Sequence, residues 1–177
     1  MKKMLFPVAV AATLIFSAFT TYNAINWQIA QGFAINFAGT DAAGGFSKMT
    51  GDITFDEANV AASKMAIIID VTSVSTGNGM KNSHAKSEKW FDAKKFPAIG
   101  FTSSKFTKTA SGYSVDGTLD LHGVKKPITI PFTFAGNTFK GSFTVNRLDY
   151  GVGTMEGMSK KVSNEIKLDI SVPVTKK

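Results

Sequence analysis

From Ile25 to the C-terminus, apolar residues recur at every second position, and that period constrains the fold more than any other feature. Met65, Ile67, Ile69 and Val71 form one such run, with Ile68 making it apolar on both faces. Ile99, Phe101 and Ser103 alternate with Gly100, Thr102 and Ser104. Val115, Gly117, Leu119 and Leu121 alternate with Ser114, Asp116, Thr118 and Asp120. Ile128, Ile130, Phe132 and Phe134 are separated by Thr129, Pro131 and Thr133. Phe139, Gly141, Phe143 and Val145 follow, and Ile166, Leu168, Ile170, Val172 and Val174 end the series. Successive side chains of a strand point to opposite faces, so this pattern describes strands with one buried and one wet face. Turn-forming residues separate the runs at Gly44-Gly45, Gly77-Asn78-Gly79, Ser111-Gly112 and Gly136-Asn137.

Many consecutive strands with little helix predict an all-β fold, either an antiparallel up-and-down barrel of about eight strands or a sandwich. One stretch breaks the rhythm. Asn82 to Lys95 predicts a short helix near residues 82–95, with Ser83 and Ser87 as N-cap candidates and a stop before Phe96-Pro97. Trp90 and Phe91 are expected to face inward from it. No internal repeat or low-complexity linker divides the chain, and its 177 residues suit a single domain.

Residues 1–24 are set apart. Lys2 and Lys3 precede a sixteen-residue apolar stretch, Met4 to Phe19, which is shorter than the roughly 20 residues a membrane helix needs. The expectation is a signal peptide over 1–24, with Ala18 and Ala24 as candidate last residues, and a mature domain over 25–177. An uncleaved anchor is the alternative. A periplasmic or secreted location follows, and the absence of cysteine fits a bacterial envelope protein without disulfides.

Charge and composition narrow the function. Twenty basic residues against thirteen acidic give +7, yet Arg147 is the only arginine. Nucleic-acid readers favour arginine, and the lysines form no basic run, so no nucleic-acid partner is expected. Such a surface suits solubility, or transient contact with an anionic membrane surface. His84 and His122 are far apart and lack carboxylates at ligand spacing, so no metal site is expected. Asp56-Glu57 is a turn pair, and Asp116 and Asp120 lie on a polar strand face. Neither supplies a matched acid and base. No Gly-x-Ser-x-Gly, Gly-x-Gly-x-x-Gly or P-loop motif occurs. Gly151 to Gly157 reads as a mobile loop between strands. No enzymatic activity and no cofactor are expected.

Several segments together resemble the YceI-like family, the polyisoprenoid-binding, lipocalin-like proteins of bacteria. WFDAKKFPAIGF at 90–101 resembles the family's Phe-Phe-Asp…Pro-x-Ile-x-Phe segment. GTLDLHGVKKPITI at 117–130 resembles its Gly-x-Leu-x-Leu-His-Gly-Val-x-Lys-Pro segment. NRLDYGVG at 146–153 resembles its Arg-x-Asp-Phe-Gly segment, and IDVTSVSTGN at 69–78 the strand leading into the helix. Trp90 and Tyr150 stand where the family usually has Phe. The resemblance implies a lipocalin-like barrel around an elongated apolar tunnel, with a long-chain lipid such as an isoprenoid quinone or polyisoprenoid as cargo, and a homodimer. A barrel with a filled core, serving as an interaction module, is the alternative.

Candidate lining residues come from the alternating apolar positions: Phe101, Leu119, Leu121, Ile130, Phe132, Phe143 and Ile170, with Trp90 and Phe91 near the helix. Arg147 has two readings. It pairs with Asp149 or with backbone carbonyls at a strand end, or it meets the polar head of a ligand. Replacing Phe132 or Leu121 by a larger or charged residue is expected to block loading more than it unfolds the barrel.

Overall fold

A computed structural model describes residues 25–153 and 156–177. The segment read as a signal peptide lies outside the described residues. The described residues form eleven strands: β1 (Asn26–Ile29), β2 (Ala34–Gly39), β3 (Ala42–Phe46), β4 (Met49–Thr54), β5 (Lys64–Asp70), β6 (Val74–Ser75), β7 (Ala98–Thr109), β8 (Gly112–Leu121), β9 (Val124–Ala135), β10 (Thr138–Asn146) and β11 (Glu165–Lys176). All pairings are antiparallel. β11 pairs with β1 through Ile29↔Val174 and with β2 through Ile35↔Ile170, which closes the sheet on itself.

The eleven strands form an eight-stave barrel because the first three staves are bent. β1 and β2 together make the first, β3 and β4 the second, β5 and β6 the third. Each bend has a specific cause. Gly32 takes φ +85° between β1 and β2, a conformation that costs glycine little. At the second and third bends a side chain replaces a missing rung. Ser73 Oγ accepts from the backbone N–H groups of Ser47 (3.2 Å) and Lys48 (3.1 Å). The later strands are long and joined tightly. His122-Gly123 and Gly136-Asn137 both have positive φ at each position, the type I′ geometry that matches strand twist.

The wall is apolar inside and polar outside. On β9, Lys125, Thr129 and Thr133 are exposed, while Ile128, Ile130 and Phe132 turn inward. A membrane-spanning barrel has the opposite polarity, with an apolar outer band. Among the described residues no helix is long and apolar enough to cross a membrane.

The helix differs from its sequence-based bounds. α1 spans Gly79–Lys86, with Asn78 Oδ1 accepting from Lys81 N–H (3.1 Å) as the N-cap. Ser87 closes the C-terminus instead of opening a helix, and residues 88–95 are turns. Asn78 follows Gly77 and sits in extended backbone, a better N-cap setting than mid-helix Ser83, whose hydroxyl bonds back to Gly79 O.

Candidate functional site

One end of the barrel is closed by aromatic rings. Phe55 is fully buried, and its ring meets Phe134 at 5.1 Å, Tyr113 at 5.2 Å, Phe139 at 5.3 Å and Phe132 at 5.7 Å, all edge to face. That arrangement sets positive ring edges on negative faces. Trp27 Nε1–H donates to Phe55 O at 2.8 Å and ties β1 to this floor. Tyr113 O–H donates to Glu57 Oε1 at 2.8 Å at its outer edge, and that bond holds the phenol above its usual pKa, helped by burial.

The other end carries a second cluster around Ile35, Phe46, Val71, Val74, Ile99, Leu121, Tyr150 and Val152. Trp90 and Phe91 pack against it from the turns after α1, half-buried, with the Phe91 ring edge-on to Phe46 at 5.7 Å. Side chains therefore cover this mouth from the α1 side. His122 Nδ1 lies 3.2 Å from the Tyr150 carbonyl. A carbonyl only accepts, so Nδ1 carries the proton and the imidazole ties the β8–β9 turn to the turn after β10. Lys126 adds a second tie, 3.9 Å from Asp149 and over the Tyr150 ring.

Between floor and mouth the packing thins. A domain of this size ordinarily has one contiguous core. Among the described residues the buried ones fall into two clusters, and only Met49 and Ile170 pack against both. Ile67, Ile69, Leu119, Ile128, Ile130, Phe143, Val145 and Leu168 turn inward on the intervening level and are only half-buried. Phe143 and its cross-strand partner Leu168 belong to neither cluster. Ile67, Ile128 and Ile130 pack on the floor cluster and Ile69, Leu119 and Val145 on the mouth cluster, yet all keep exposed surface. All eight of these side chains are apolar.

Arg147 sits at the rim, 3% exposed. Nε donates to Ser163 O (3.1 Å), Nη1 to Val152 O (2.8 Å), and Nη2 to Ser159 O (3.1 Å) and Val162 O (3.1 Å). Its guanidinium carbon lies 5.4 Å from the Trp90 ring centroid. Burial lowers its pKa. Asp149 pairs with Lys126, so the strand-end carbonyl reading describes the geometry and an Arg147–Asp149 pair does not. The segment read as a mobile loop begins packed, with Val152 buried and Gly153 at φ +73°, where a Cβ would lie 2.6 Å from Arg147 Nη1 and 2.7 Å from Trp90.

The structure divides the sequence-predicted lining. Leu119, Ile130, Phe143 and Ile170 border the thin middle level. Phe101 and Phe132 belong to the floor cluster, Leu121 to the mouth cluster, and Trp90 and Phe91 to the cover of the mouth. Sequence reasoning did not single out Phe37, Met49 or Leu168, nor the floor residue Phe55. Alternation marked Leu168, but Phe37 and Met49 lie in bent staves whose short runs carry little period. Among the described residues no three His, Asp or Glu side chains gather as a metal site.

Comparisons with known proteins agree with this geometry. The sequence model of the YceI-like domain matches residues 9–174. A UPF0312 protein of Yersinia enterocolitica is 34% identical over 139 residues, covering 73% of this chain and 71% of that one. The crystal structure of Burkholderia cenocepacia BcnA superposes with a TM-score of 0.74 at 29% identity, covering 81% of this chain and 96% of that one. A Campylobacter jejuni YceI protein gives 0.64 at 27% identity, with 76% and 84% covered. A Saccharophagus degradans domain described as polyisoprenoid binding gives 0.63 at 16% identity, with 85% and 98% covered, a likeness of fold.

Proposed function

The chain belongs to the YceI-like family, and from that premise we propose that it binds and carries one long-chain apolar lipid in the level between the two core clusters. The observation that carries this reading is the half-buried inward set, Ile67, Leu119, Ile128, Ile130, Phe143 and Leu168. In a barrel packed solid these would be as buried as Phe55. A hydrocarbon chain seated there gains about 0.8 kcal/mol per buried CH₂, before ordering costs are subtracted. An isoprenoid quinone or polyisoprenoid suits an apolar lining, and the bacterial envelope is the setting in which such a carrier operates. We assign no chemical step to the barrel.

The test is direct. Protein purified from its native envelope is examined by native mass spectrometry, and its organic extract by lipid mass analysis. One lipid per chain is expected. Protein that carries no lipid and takes up neither quinones nor fatty acids in solution overturns the carrier reading in favour of an interaction module.

A further inference from the structure

The barrel wall is not continuous. β8–β9 and β10–β11 each pair over nine residues, whereas the β9–β10 ladder holds only four pairs, from Thr138↔Ala135 to Gly141↔Phe132. Beyond them, residues 124–131 of β9 pair with β8 alone, and residues 142–146 of β10 pair with β11 alone.

Two prolines explain where the ladder stops. In a two-residue hairpin the flanking pair, here Ala135 and Thr138, exchanges both hydrogen bonds, and every second pair onward does the same. Lys140 with Thr133 is the next such pair, and Ser142 with residue 131 would follow. Residue 131 is proline and has no N–H to donate. Its carbonyl faces β10, since a Cβ on Gly141 would lie 3.0 Å from Pro131 O. Two rungs further, the same side of β9 presents Pro127. Proline within a sheet is otherwise confined to edges, so this length of β9 is written as an edge inside a closed barrel.

The surroundings of this seam match an opening. Ile128, Ile130, Phe143 and Val145 flank it on the inside and are half-buried. Thr129 and Thr144 flank it outside and are exposed. A pocket of about 450 Å³ sits on the wall at the foot of the seam, where Pro131, Phe132, Gly141 and Ser142 meet Asp169 and Ile170. At the top, the Lys126–Asp149 pair spans from β9 to the turn after β10.

We propose that the β9–β10 seam is the lateral portal through which an apolar chain enters the barrel. This rests on the lipid-binding reading and adds its route. Loading through the mouth would have to displace Trp90, Phe91 and the turns after α1. Loading through the seam breaks no strand pairing, and a long chain slips sideways onto Ile128, Ile130 and Phe143 without being threaded end first.

The chain has no cysteine, so Thr129→Cys with Thr144→Cys puts one thiol on each side of the seam and none elsewhere. A bis-methanethiosulfonate reagent staples them, and dithiothreitol releases the staple. Uptake of geranylgeraniol carrying a fluorescent anthraniloyl tag is then followed in stapled and reduced protein. Stapling should slow uptake by at least about tenfold, with recovery on reduction and unchanged final occupancy. Pro127→Thr with Pro131→Thr returns two donors to β9 and should both slow uptake and raise Tm. Equal rates in stapled and reduced protein overturn the portal and leave binding intact. Reduced protein that takes up no probe overturns the binding reading, and the portal with it.

Discussion

Arg147 illustrates how one buried charge is held by geometry alone. Its planar fork reaches backbone carbonyls of Val152, Ser159, Val162 and Ser163 together, which a lysine ammonium cannot match. Arg147→Ala should cost about 3 kcal/mol in urea unfolding, because several carbonyls lose a charged donor. Asp149→Ala removes only an exposed pair with Lys126 and should cost less than about 0.5 kcal/mol. The double variant should be additive, and strong coupling between the two would contradict the geometry. Tyr113 makes a pH-dependent contribution at the floor. Its folded pKa is raised through the bond to Glu57, so the neutral phenol is the stabilising form. That contribution is full below the unfolded value of about 10 and is lost as pH rises through the folded value. Tyr113→Phe should cost about 1 kcal/mol at neutral pH and flatten the alkaline loss of stability seen in thermal melts.

At the scale of the element, β9 does two jobs along one alternating run. Near its hairpin, Phe132 is locked among Phe55, Phe106, Tyr113 and Phe139. Two residues earlier, Ile130 faces the thin level. Phe132→Ala should therefore lower stability by about 3–5 kcal/mol, as a cavity in a packed floor does. Ile130→Trp should leave Tm within a few degrees and abolish lipid retention, since it fills space. The opposite result, a stable Phe132→Ala and an unfolded Ile130→Trp, would exchange floor and lining. Alternation alone made Phe132 a lining position, whereas its ring packs in the floor cluster. Periodicity shows which residues point inward and is blind to how high in the barrel they sit.

For the whole molecule, closure removes sheet edges, which are otherwise templates for aggregation. A length of wall is left unzipped between residues 124–131 and 142–146, with exposed Thr129 and Thr144 outside it. The proposed operation in the envelope requires export. N-terminal sequencing of envelope protein should find a start near residues 19 to 25, and a chain beginning at Met1 and released only by detergent would establish an anchor instead.

Period two in residues 99–134, 139–145 and 166–174 was sufficient to specify strands and their inward faces, because side-chain alternation is a property of each strand alone, but it left a barrel and a sandwich both open. The type I′ turns at His122-Gly123 and Gly136-Asn137 were equally local. The bent staves were harder to read, since β1 to β6 are short and Ser73 stands in for a rung only after distant residues meet. The helix start moved because Asn78, in extended backbone after Gly77, caps it, whereas Ser83 lies inside the helix and bonds back to Gly79 O. Whether Phe132 or Ile130 borders free space depends on Phe55 arriving from another strand. Pro127 and Pro131 are visible in the chain, but the side of β9 on which their missing donors fall, and hence where the wall stays open, is decided only by which strand becomes the neighbour.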